Sequence, residues 1–290
     1  MSGPDAARVY DRGYRRYDGP RGGVGASMRS VVVQTLKRVF GLRRSVWQKL
    51  PPWSIVALAF VPALVYASLG ALLPSDDAAG IIPDYYEYYG FIGVLVLLFV
   101  AWAAPEALSG DRRSGMLGLY LASPLDRGTY LSAKATAIGG ALLAVTLGPV
   151  AFLLVARLLA GTGPSVEDIP LLVLRIVLTG VVLSAFWGLL GAAVAALSDR
   201  RAIATAAIIL VVLLLTAVAN VAVDGADYPE WIRAIDPLAV SFDAVLVIWG
   251  ADDERGTGLP AIGVAAVVAA WIALSSLVVW WRYRLLDITR

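Results

Sequence analysis

The residues with chemistry to offer are few, and they cluster in three places. Between Glu106 and Lys134 the chain reads EALSGDRRSGMLGLYLASPLDRGTYLSAK. That stretch sets a carboxylate (Glu106), a basic pair (Arg112, Arg113), Gly115, a Ser-Pro step ending at Pro124 and two more cations (Arg127, Lys134) around short apolar residues such as Leu119. Thr205, Thr216 and Asn220 are the polar groups of one long apolar run, and Asp236-Pro237-Leu238 interrupts another, Tyr228 to Gly250. Groups of these kinds can pair charges, anchor a chain at a membrane surface, meet a polar solute or turn a helix. They are poorly suited to making and breaking bonds. The chain has no His and no Cys, which removes imidazole bases, thiolates, disulfides and most zinc or haem sites. No apolar run holds a pair of carboxylates for embedded acid–base hydrolysis. No G-x-x-x-x-G-K-[ST] occurs, so work driven by ATP needs an ATPase on another chain.

The elements that must position these residues are membrane helices. The chain is 59% hydrophobic with a mean hydropathy of +0.75, and only 16% of it is charged, against roughly 25% in a soluble domain. Its apolar runs reach the ~20 residues that cross a ~30 Å hydrocarbon core. They lack the alternation of a barrel strand, so helices are expected. The expected fold is all-α and polytopic, with six spans at Trp53–Leu73, Tyr89–Ala104, Ala135–Leu159, Leu171–Leu197, Ala202–Val221 and Ala261–Trp281. Residues 28–50 place Met28, Val32, Leu36, Val39, Phe40 and Trp47 opposite Lys37, Arg38 and Arg44. This predicts an amphipathic helix in the membrane surface, turned into the bilayer at Pro51-Pro52. Residues 1–27 are polar and basic, without the apolar core of a signal peptide. They read as a loosely ordered arm, or as a docking arm through Tyr10, Tyr14 and Tyr17.

Loop charge sets the orientation. The loops after the first and third spans carry Asp76, Asp77, Asp84, Glu87, Glu167 and Asp168 and no cation. The region 222–260 is mostly acidic, with only Arg233 and Arg255 as bases. Cations gather before the first span, in the loop 105–134, at Arg200-Arg201 and in the tail. Positive loops stay inside, so both termini are expected in the cytoplasm. No ionisable residue falls at the expected centre of a span, whereas ion-coupled carriers usually keep one there. Arg-rich composition with abundant Ala, Val and Gly points to a GC-rich bacterium, hence a bacterial cytoplasmic membrane.

The acidic residue after a span, the basic cluster, SGMLGLYLASPLDR and YLSAK resemble the cytoplasmic loop of type-2 (ABC-2) ABC transporter permeases. The family's recurring positions fall on Glu106, Gly115, Pro124, Arg127 and Lys134. YPEWIRAIDPLAVSFDAVLVIWG is similar to the short helices that precede the family's last span. The resemblance implies a permease subunit whose surface helix and loop contact an ABC ATPase, through Glu106, Arg112, Arg113, Gly115, Leu119, Pro124, Arg127 and Lys134. It implies two ATPase copies, a second permease (identical or related), and ATP and Mg held by the ATPase rather than here. It also implies a path bordered by the second and fifth spans, where Thr205, Thr216 and Asn220 share a helix face, and an outer gate at Asp236, Pro237 and Leu238. Membrane lipids are expected partners and nucleic acid is not. The plainer readings are a positive-inside anchor for the loop and interhelical bonding for the threonines. A membrane-embedded enzyme or an uncoupled channel is the alternative function. Export of an amphiphilic, lipid-like or drug-like substrate is favoured, since no docking signature for a binding protein is visible.

The topology is testable in this cysteine-free chain. Gly118→Cys should resist an impermeant thiol reagent added outside, and Asp252→Cys should react. The reverse pattern would overturn the orientation.

Overall fold

A computed structural model describes residues 22–42, 44–72, 83–113, 115–116, 120, 124–251 and 256–285, apart from the side chains of Ala71 and Arg113. Among the described residues there is no strand. The helices are α1 (Val24–Val39), α2 (Val46–Leu72), α3 (Glu87–Arg113), α4 (Arg127–Thr146), α5 (Gly148–Leu159), α6 (Ile169–Ala196), α7 (Arg201–Asn220), α8 (Pro237–Trp249) and α9 (Ala261–Arg284). A π-helical turn, Val221–Gly225, extends α7, and a 3₁₀ helix, Glu230–Ile235, precedes α8. Among the described residues, six helical segments are long and apolar enough to cross a membrane: α2, α3, α4 with α5, α6, α7 with its π turn, and α9. The expected all-α polytopic class and span number stand.

α6 is the hub, with α3, α4, α7, α8 and α9 packed against it. Apolar side chains gain little by leaving lipid for protein, so membrane helices associate through close backbone approach and interhelical hydrogen bonds. Both are present. A Cβ on Gly191 would stand 2.4 Å from Val100 Cγ2 and 3.2 Å from Ala104 Cβ, so the crossing of α6 on α3 requires glycine there. The buried hydroxyls of Thr146 and Ser184 lie 2.9 Å apart and join α4 to α6. Tyr88 donates to the Ala59 carbonyl and accepts from the Ala63 N–H, joining α3 to α2. The third span is interrupted at Leu147, where Pro149 of the Gly148-Pro149 pair lacks the N–H of a regular ladder.

Several boundaries differ from expectation, each for a local reason. The helix expected at 28–50 ends at Val39, and residues 46–50 with both prolines belong to α2. The chain reverses at Gly41 instead, at φ 64, where a Cβ would stand 2.8 Å from the Gln48 carbonyl oxygen. Pro51 and Pro52 leave carbonyls of the first turn without helical partners, and Trp47 is 82% exposed, so that end of the helix is solvated. The second span runs on through Pro105 to Arg113, which puts Glu106 inside a helix. The third starts at Arg127 because Asp126 and Thr129 form a reciprocal capping box. The expected loop 105–134 therefore contracts to the stretch between Arg113 and Arg127. Before the last span, the expected break between two short helices falls at Asp236, in an extended conformation (φ −86, ψ 112). From there Leu238, Ser241, Phe242 and Val245 of α8 line a depression with Leu183 and Trp187, near the middle of α6. Trp249 donates to Thr179, nearer the start of α6, before the chain turns at Gly250.

Gly191→Val should overpack the α3–α6 crossing and cost about 1–3 kcal/mol. A lowered thermal transition of the purified chain in nanodiscs would show it, and a wild-type transition would refute the close crossing.

Candidate functional site

The end of the bundle that carries α1 and the last turn of α9, the basal end, is held by three sets of charges. Asp111, in the final turn of α3, has no exposed surface. Its Oδ1 lies 2.5 Å from Arg38 Nη1 on α1, and its Oδ2 lies 2.6 Å from Lys134 Nζ on α4. The Tyr130 hydroxyl donates to the same Oδ2 at 2.9 Å. Lys134, itself 2% exposed, also donates to Thr35 Oγ1 at 3.0 Å and to the Ala107 carbonyl at 2.9 Å. Its three N–H groups thus have three acceptors. One carboxylate and one ammonium tie α1, α3 and α4 together.

Glu106 makes the second set, earlier on the same helix. Arg44, between α1 and α2, lies 2.7 Å from its Oε1, and Arg201, first residue of α7, 2.6 Å from its Oε2. The Arg201 guanidinium also sits 3.9 Å over the Trp102 ring. Arg112 makes the third. It donates to the carbonyls of Ala195, Ala196 and Ser198 at 2.7, 2.5 and 2.6 Å. These oxygens lie at the end of α6, where regular helical partners run out and the dipole is negative. Arg127 donates to the Arg284 carbonyl at 2.9 Å, closing α4 on α9. The capping Thr129 holds the Asp126 carboxyl below its usual range by hydrogen bonds from its hydroxyl and backbone N–H.

The expected coupling residues therefore divide. Glu106, Arg112 and Lys134 are engaged within the bundle and hold helices together. Gly115, at φ 68, and Pro124 are exposed in the short connection that remains. Leu119, the Arg113 side chain and the arm 1–21 lie outside the described residues. Sequence reasoning missed Asp111, the centre of the network, because it stands beside two arginines and reads as part of a basic cluster. The spacing of Tyr130 and Lys134, which puts both on one face of α4, was the available signal.

Along α7, from the basal end to the opposite one, the polar row also divides. Thr205 donates to the Ala101 carbonyl at 2.8 Å, bonding α7 to α3. Thr216 donates to Asp236 Oδ1 at 2.5 Å, and that carboxylate also caps α8 through the Leu238 N–H at 2.9 Å. Asn220 is exposed. It lines an open polar cavity of about 460 Å³ with Asp224, Arg233, Asp236 and Leu238, where Arg233 pairs with Asp224 at 2.6 Å. Pro237 is buried as the first residue of α8. Thr216 thus belongs with the expected gate residues, and Thr205 with the helix packing.

Asp111→Asn should leave two cations under-compensated in a buried site and cost about 3–5 kcal/mol. Glu106→Gln faces more exposed arginines and should cost about 0–1 kcal/mol. Asp111→Asn combined with Lys134→Met should recover part of the loss. Thermal transitions in nanodiscs check this, and equal losses in the two single variants would refute the ranking.

Residues 32–285 match the family described as ABC-2 family transporter protein. No curated protein sequence matches the chain. The matched region begins within α1 and takes in every span, the three charge sets that hold α3, and the helix pair around Asp236. With almost its whole helical body covered by that match, the chain belongs to the ABC-2 family of transporter proteins.

Proposed function

We propose that this chain is the permease half of an ATP-driven exporter, working as a pair of permeases with two ABC ATPase subunits. A permease component with an ABC ATPase partner is what membership of the family supports. The observation that carries the mechanism is the Asp111 cluster. It makes α1 and the basal ends of α3 and α4 one body, so a push on α1 or on the connection after α3 reaches two spans together. In this reading the basal end faces the cytoplasm of a bacterial cell, with both termini there. ATP and Mg bind in the ATPase, and the permease supplies no cofactor site.

The Glu106 cluster extends the push to a third span. Arg201 starts α7, and Thr216 lies roughly 22 Å further along the helix. Tilting α7 by its Arg201 end moves its Thr216 end, which holds Asp236 and hence α8. α8 then acts as an outer lid, and the cavity beside Asn220 lies at the exit. The path runs between α3 and α7 of the two permeases. The exposed apolar face of α7 (Leu210, Leu213, Leu214, Val218) suits a lipid-like or drug-like amphiphile. An uncoupled channel or a membrane-embedded enzyme is the competing reading, and neither explains why α1 is pinned to two spans.

A tagged chain should co-purify an ABC ATPase from its own cells. Leu119→Asp should lose most of that ATPase and the associated transport while inserting normally. Retention of both at wild-type levels would refute coupling through this connection.

A further inference from the structure

The face formed by α4, α6 and α9 carries an apolar furrow that transport, as proposed, does not use. Two depressions of about 220 and 260 Å³ adjoin along it and share Ala135 and Leu189. The first begins at Gly128 and Ser132 and reaches Trp280 on α9; the second continues to Leu143 and Val181. From Gly128 to Leu143 is roughly 22 Å along α4, more than one leaflet's half of a ~30 Å core. The floor is low because glycines meet there: a Cβ on Gly188 would stand 3.5 Å from the Gly139 nitrogen. The Thr136 hydroxyl at its side is already bonded to the Ser132 carbonyl at 2.8 Å.

The basal mouth of this furrow is cationic. Arg127 adjoins Gly128 and donates to the Arg284 carbonyl. The Arg284 guanidinium lies 4.7 Å over the ring of Trp280, which itself lines the furrow. Arg282 stands in the same last turn of α9. The neighbouring carboxylate, Asp126, accepts from the Thr129 N–H and hydroxyl, both at 2.6 Å. Tryptophan with arginine at the end of an apolar slot is the chemistry of a headgroup boundary, and clustered cations there attract anionic lipid. A second copy of this chain docking the same face about a two-fold axis would oppose like charges.

We infer that the furrow holds an acyl chain of an anionic phospholipid from the basal leaflet, with its phosphate at Arg127 and Arg284. A zwitterionic headgroup would bring its own ammonium to the same cations. Lys134 lies at the furrow floor and holds Asp111 and Thr35 from its other side, so the lipid packs against the joint of α1, α3 and α4. Only the naming of that leaflet as cytoplasmic rests on the transport reading.

The test needs no ATPase. The full-length chain is taken from nanodiscs of equal phosphatidylglycerol and phosphatidylcholine into mild detergent, and retained lipid is weighed by native mass spectrometry. Phosphatidylglycerol should be retained in several-fold excess over phosphatidylcholine. Arg127→Gln with Arg284→Gln should reduce that excess to near parity, and Ala135→Phe, which fills the furrow, should lose both lipids. Size-exclusion profiles and thermal transitions verify that the variants fold. Equal retention of the two lipids by the wild-type chain would overturn the inference, as would unchanged phosphatidylglycerol excess in folded variants. A disulfide between two copies through Ser276→Cys would assign the furrow to a protein contact and overturn it as well.

Discussion

Asp111 is a fully buried carboxylate set between an arginine from one helix and a lysine from another. Removing such charges from solvent is costly, and their attraction repays it only where geometry and hydrogen bonding are complete. Here they are: an arginine, a tyrosine hydroxyl, and a lysine whose remaining protons go to Thr35 and Ala107. The gain is specificity of arrangement more than net stability. An apolar contact between α1 and the spans could slide by a residue with little penalty. An ammonium with three fixed acceptors cannot.

That constraint decides how the rest of the bundle is used. α6, packed by close backbone approach at Gly191 and joined to α4 through Thr146 and Ser184, has little freedom to tilt. α2 and α7 are bordered by many exposed apolar side chains and are held to the centre mainly at particular points. For α7 these points are Arg201, Thr205 and Thr216. A rigid centre with laterally held outer helices is a sound basis for movement, because the fixed points define where a displaced helix pivots.

Much of this was legible in the sequence. The six spans follow from long apolar runs, since a backbone in lipid without strand alternation is satisfied only as helix. The break at Asp236-Pro237 follows from what proline forbids its predecessor. Helix ends were less legible. Pro51-Pro52 reads as a turn, yet Gly41 makes the turn, because a left-handed residue that admits the Gln48 carbonyl outweighs two prolines near a solvated helix end. The capping box at Asp126 and Thr129 lengthens α4 by about two turns beyond its apolar run. The Asp111 network was hidden for a different reason. Its members come from three separate helices, and periodicity within one helix says nothing about which charges on another will meet it. The row Thr205, Thr216 and Asn220 shares a helix face, but its members meet different neighbours at different heights.

The pinning of α1 also has an order in time. Arg38 is 73 residues from Asp111, and Thr35 is 99 residues from Lys134. At about 5–20 residues per second of synthesis, α1 emerges several seconds before its partners exist. During that interval Arg38 and Thr35 lack the partners they meet in the bundle. The helix becomes part of the bundle when α4 arrives with Lys134. An element made early is thus secured late, by groups that α3 and α4 supply.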